Sequence, residues 1–152
     1  MESAGIYARE SDLLDRYVQF GYAAEQLLSV SFPETPDNDA CDEHHLLDRI
    51  DRYLEGESDG FEDVSVALTL PTDQRVVLES LRSVGYGENT SVAALARMTP
   101  ELNDDDDDDI RTVREALAEN PAPLVIGDHR VRDGPSVAPP AVVQQLRSLE
   151  KL

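Results

Sequence analysis

Apolar and polar residues alternate through the first thirty-two positions in short runs. Gly5 to Arg9 is a short candidate strand, and Tyr17 to Ala23 and Leu27 to Phe32 are richer in aromatic and branched residues. The short link between the last two predicts a hairpin or small meander. A polar, proline-containing loop follows from Pro33 to Asp42. The period then changes: Leu46, Leu47, Ile50, Tyr53 and Leu54 recur at helical spacing, and Gly56 ends the run. Phe61, Val64, Val66 and Leu68 alternate again, which predicts one more extended segment before Pro71.

Beyond Pro71 the helical period dominates. Thr72 can cap a helix carrying Val76, Val77, Leu78, Leu81 and Val84, and the loop Gly85 to Asn89 breaks it. Ser91 can cap a short helix with Val92, Leu95 and Ala96. A third helix is expected over Ile110 to Ala118, ending before Asn120-Pro121, and Pro140 can open a last one with Val142, Leu146 and Leu149. Leu124 to Ile126 is a short apolar stretch between them. The pattern predicts an α+β protein: a small strand-rich domain over residues 1–70, then a helix-turn-helix, winged-helix-like domain over residues 71–152.

Charge changes the picture. The 152 residues carry 32 acids against 13 bases, a net charge of −19, and Lys151 is the only lysine. Such a surface keeps a protein hydrated in molar salt, where its self-repulsion is screened. The expected setting is therefore the cytoplasm of an extreme halophile. Residues 1–71 hold 17 of the acids and only 4 of the bases; without the run Asp104 to Asp109 the remainder of the chain is neutral. The second half is thus the one expected to meet a polyanion.

The single cysteine, Cys41, excludes an internal disulfide. Cys41, His44 and His45 could in principle hold a soft metal, but three ligands within five residues are better read as a plain loop and helix start, and no metal or other cofactor is expected. Met1-Glu2-Ser3 has no basic stretch followed by an apolar one, so no secretory leader is expected. No apolar run approaches the length of a membrane span.

Tyr86-Gly87-Glu88, then Ser91 and Leu95-Ala96, are similar to the PYGET stretch, and the helix after it, of the O6-alkylguanine-DNA alkyltransferases, a DNA-repair family. Arg111 stands nine residues before Asn120-Pro121, as in the family's ARAVG…NP helix. Leu124 to Val131, ending in His129-Arg130-Val131, resembles its I-x-I-P-C-H-R-V strand, and Ala141 to Glu150 its closing helix. Gln74, Leu46-Leu47, Tyr53 to Gly56 and Phe61 extend the resemblance upstream, to roughly residues 44–150.

The departures carry as much information. Asp128 occupies the position of the family's acceptor cysteine, and Gly127 that of the proline before it. Val92 stands where the family has a tyrosine that helps rotate the damaged nucleotide, and Asp73 replaces a phenylalanine. The loop Arg132 to Pro140, which in the family lines the alkylguanine pocket, is shorter, lacks the tyrosine and keeps only Gly134. The family reaction moves an alkyl group from guanine O6 to a thiolate activated by a histidine and a glutamate. The resemblance places these at His129 and Glu150, with Asn120 in the pocket. A carboxylate is a far poorer nucleophile toward a methyl group, so no catalysis is expected from Asp128.

The resemblance implies double-stranded DNA, lesion-bearing, as the partner, with Arg111, Tyr86, Ser91 and Arg130 as its contacts. Arg111 would fill the gap left by a flipped base. Non-catalytic recognition of alkylated DNA, in concert with other repair proteins, is the expected function. The rivals are a winged-helix transcription regulator and a family member turned into a protein-interaction module. Lesion preference separates the first from the second; failure to bind DNA points to the third.

Overall fold

The computed structural model describes residues 4–152. Met1-Glu2-Ser3, from which no leader is expected, lies outside the described residues. The strands β1 (Gly5–Ser11), β2 (Arg16–Ala23) and β3 (Gln26–Ser31) form an antiparallel sheet in the order β1-β2-β3. β1 runs two residues past its expected end because Glu10 and Ser11 pair with Tyr17 and Arg16. Tyr7, Val18, Phe20, Leu27 and Val30 turn into the core from this sheet.

Five helices follow: α1 (His45–Leu54), α2 (Thr72–Leu81), α3 (Val92–Met98), α4 (Asp107–Ala118) and α5 (Pro140–Leu149). The protein is α+β, as its pattern predicts. In α1, Leu46, Leu47, Ile50 and Tyr53 are buried, and Gly56 ends the helix at φ +112, a conformation only glycine takes without strain. α2, α3 and α4 pack on one another. One continuous apolar core links Tyr7 and Phe20 on the sheet, through Leu78, Leu95 and Leu117, to Val142 and Leu146 on α5. No helix among the described residues is long and apolar enough to cross a membrane.

Three details differ from expectation. The segment from Phe61 to Leu68 is not a strand; it makes a single parallel bridge, Leu27 to Val66. Arg82 Nη2 donates to the carbonyls of Phe61 (2.6 Å) and Val64 (2.7 Å), and this side chain supplants a ladder partner there. The cap of α2 is Pro71, not Thr72; it offers no side-chain hydrogen bond, and Asp73 Oδ1 accepts from Gln74 N (2.8 Å) in the first turn instead. α4 begins at Asp107, three residues early. Asp106 accepts from the N–H groups of Asp108 and Asp109, and the acids of the first turn suit the helix dipole.

Candidate functional site

Asn120, Asp128, His129, Arg130 and Glu150 come together beneath the surface, all at most 4% exposed. Their frame is the segment after α4. Asn120 Oδ1 accepts from Ala122 N at 3.1 Å, and its Nδ2 donates to Ile126 O (3.0 Å) and Asp128 Oδ2 (3.1 Å). Asn120 thereby folds residues 120–128 into a tight buried turn in which Leu124 is held at φ +77, a strained conformation for a non-glycine residue. A single 3-10 turn, Asp128–Arg130, then aims three consecutive side chains.

Asp128 is hydrogen-bonded on both oxygens. Ser136 Oγ donates to Oδ1 at 2.8 Å and Asn120 Nδ2 donates to Oδ2. Burial pushes its carboxyl up from the ordinary carboxylate range, and the bonds from Ser136, Asn120 and the Val137 backbone N–H offset this only in part. Glu150, at the end of α5, collects the rest. Its Oε1 accepts from Arg130 Nε (2.8 Å) and Gly87 N (2.9 Å); its Oε2 accepts from His129 Nε2 (2.6 Å), Arg130 Nη2 (3.1 Å) and the Tyr53 hydroxyl. Burial alone would raise the Glu150 pKa; the bonds from His129 and Arg130 outweigh it and hold the carboxyl well below the usual range. His129 Nδ1, on the other side of the ring, is buried without a hydrogen-bond partner.

The expected site residues divide by location. Asp128, His129, Glu150 and Asn120 do cluster. Arg111 projects from α4 with its side chain 68% exposed, its nearest counter-ion being Asp108 at 3.4 Å. Ser91 caps α3, accepting from Ala94 N at 3.1 Å. Arg130, expected on the DNA side, is buried instead: its donors go to Glu150 and to Val84 O (3.0 Å), so no phosphate can reach them. Tyr86 is also turned inward, its ring edge-on to Tyr53 at 5.9 Å and its hydroxyl 3.5 Å from Leu149 O. Val92, in the nucleotide-rotating position by resemblance, is buried at the start of α3.

The loop over residues 132–139 lies closed against the site. Asp133 Oδ1 accepts from Val92 N (2.7 Å), Asp133 O from Arg114 Nη1 (3.1 Å), and Ser136 reaches Asp128. Gly134 permits the close approach: a Cβ there would meet Leu117 Cδ1 at 2.6 Å and Val131 Cγ1 at 2.9 Å. Sequence reasoning missed Ser136 and Asp133 as anchors of this loop, and nothing in their local pattern announces them. The Gly87 contact with Glu150 was findable only as part of the Tyr86-Gly87-Glu88 motif. Cys41 pairs with Tyr7 as a bridge, and His44 Nδ1 accepts from Leu46 N to cap α1. Among the described residues no cluster of three or more His, Cys, Asp or Glu side chains could hold a metal ion.

This α+β arrangement, a three-stranded meander followed by five helices with a 3-10 turn before the last, is the fold of the O6-methylguanine methyltransferases. A single-site variant of the Mycobacterium tuberculosis O6-methylguanine methyltransferase superposes with a TM-score of 0.74 at 18% identity, over 97% of this chain and 91% of that one. Mycobacterium tuberculosis OGT in complex with DNA gives 0.70 at 19%, over 97% and 91%. The O6-methylguanine-DNA methyltransferase of the hyperthermophilic archaeon Pyrococcus kodakaraensis gives 0.72 at 17%, over 97% of this chain and all (100%) of that one. No protein-family model and no curated protein matches the sequence.

Proposed function

We propose that this chain is an alkyltransferase-like protein that recognises alkylated, O6-alkylguanine-type or otherwise lesioned double-stranded DNA without transferring the alkyl group. The observation that carries the reading is Asp128. By sequence resemblance it matches the acceptor position of the alkyltransferases, and the structure shows it beside a His129–Glu150 pair at 2.6 Å, buried, with both oxygens already hydrogen-bonded. Hydrogen bonds on both oxygens lower further the reactivity of a carboxylate that is already a far poorer nucleophile than a thiolate toward a methyl carbon.

DNA as the partner is supported by the similarity to a protein solved in complex with DNA and by the exposed Arg111 on α4. In this reading residues 71–152 meet the duplex through α3 and α4, with Ser91 fixing the start of α3, and residues 1–70 support them. Arg111 enters the minor groove and compensates part of the few kcal/mol that unstacking a base costs. Arg130 and Glu150 act from inside, as the pair that holds α5 to the 3-10 turn.

The test is equilibrium binding to otherwise identical duplexes with and without O6-methylguanine in molar KCl. Tighter binding to the lesion duplex is the expected result. Equal affinity for both would favour a transcription-regulator role. No binding to either would leave a protein-interaction module.

A further inference from the structure

The aspartate run that leads into α4 and forms its first turn touches the α3–α4 arginines at two points. Asp104 Oδ2 accepts from Arg97 Nη1 at 2.7 Å, with the Asp104 side chain only 27% exposed. In the first turn of α4, Asp108 Oδ1 lies 3.4 Å from Arg111 Nη1. The run is an ordered turn, not a loose tail. Asp106 caps α4, Asp109 Oδ2 accepts from Asn103 N at 2.9 Å, and Asn103 Oδ1 accepts from Asp105 N at 3.0 Å. These bonds keep the carboxylates beside both arginines.

We infer that Asp104 and Asp108 compete with phosphate for Arg97 and Arg111, so that the α3–α4 face is restrained from DNA in dilute salt and released as ionic strength rises. The inference rests on the DNA-binding reading above and adds its regulation. Both pairs lie at the surface, where solvent screening keeps them weak, so neither blocks binding outright. Each arginine must nevertheless leave a carboxylate before it meets a phosphate, and the freed carboxylate then repels that phosphate. This repulsion reaches about 10 Å at 0.1 M salt and about 3 Å at 1 M. An ordinary phosphate-binding surface loses affinity steadily as salt rises, through the lost gain from counterion release. Here salt weakens the competitor as well as the contact, and the decline is shallower than the arginines alone would give.

The experiment measures binding of a 20-bp duplex, plain and with one O6-methylguanine, from 0.1 to 2 M KCl. It compares the full chain, Asp104→Asn/Asp108→Asn, and the control Asp12→Asn/Asp15→Asn, which removes the same charge from the β1–β2 turn. Neither Asp104 nor Asp108 is the α4 cap, and circular dichroism at each salt confirms that all three proteins are folded. The expected result is about 10-fold tighter binding by Asp104→Asn/Asp108→Asn at the low end, shrinking to less than about 2-fold at the high end, with a steeper salt slope. The control should move far less. Equal tightening by both variants would show a net-charge effect and overturn the inference while leaving DNA binding intact. So would unchanged affinity in both. No binding by any of the three proteins at any salt would overturn the DNA-binding reading itself, and the inference with it.

Discussion

The Ser136 hydroxyl donates to Asp128 Oδ1 at 2.8 Å, and this bond ties the loop over residues 132–139 to the buried 3-10 turn Asp128–Arg130. Ala138 N in turn donates to Ser136 Oγ at 3.1 Å, so one carboxylate organises both the loop and its descent into α5. A thiol, a weak hydrogen-bonding group, could not hold the loop in this way. The Asp128 carboxylate therefore serves as the anchor of this loop.

Incubation with a duplex containing O6-methylguanine should leave the protein mass unchanged. Intact-protein and peptide mass spectrometry give the answer directly. A stoichiometric methyl adduct on Asp128 would refute the non-catalytic reading.

Asp128 should make stability depend on pH in a recognisable direction. Its pKa is raised in the folded state, so its contribution is greatest below the unfolded value of about 3.9 and declines as pH rises through the folded one. The chain should therefore gain stability relative to Asp128→Asn as pH falls from 8 toward about 4. Urea midpoints of the two proteins across that range test this; a constant difference would mean that Asp128 does not titrate differently on folding.

Glu150 should behave in the opposite sense. Its folded pKa is depressed, so its contribution is complete at neutral pH and declines as pH falls below about 4.3. Glu150→Ala leaves the buried Arg130 guanidinium without its carboxylate and should cost about 3–5 kcal/mol at neutral pH. The double variant Arg130→Leu/Glu150→Ala should recover part of that loss, because the stranded charge is then gone. Chemical denaturation measures all three, and a loss below about 1 kcal/mol in Glu150→Ala would contradict the keystone role.

Folding should be favoured by salt. A net charge of −19 repels itself in dilute buffer, and each kcal/mol of repulsion screened raises the midpoint by about 2–4 °C for a chain of this size. A rise of roughly 10 °C between 0.1 and 3 M KCl is expected by circular dichroism. Equal midpoints would remove the basis for expecting adaptation to high salt.

Arg111→Ala should weaken binding to a lesion duplex by about 10-fold and to a plain duplex by less, since only the former calls on an inserted side chain. Arg75→Ala on α2 is the suitable control, being exposed and only loosely paired with Glu79 at 4.0 Å. Arg82 is unsuitable because it holds Phe61 and Val64 in place. Equal losses on the two duplexes would make Arg111 a plain phosphate contact.

Local pattern and composition determined a great deal here. The period-2 runs placed all three strands to within two residues. Helical spacing placed α1, α2 and α5, and Ser91 and Pro140 marked real helix starts, because caps and periodic burial act over a few neighbouring residues. The motif order also singled out Asn120, Asp128, His129 and Glu150, which the fold brings together in a buried cluster. Tertiary structure alone decided where side chains point and what they meet. Arg130 is the clearest case: nothing near it in sequence distinguishes a surface arginine from a buried one. Its position follows from Glu150, twenty residues on, and from the Val84 carbonyl, forty-six residues back. The same holds for Ser136 on Asp128, for Gly87 and Tyr53 on Glu150, and for Arg82 where a strand partner was expected. All but the Ser136 bond, which spans eight residues, are long-range contacts that exist only once separate elements have packed, and the cost of burying an unpaired charge or polar group then selects which partners meet.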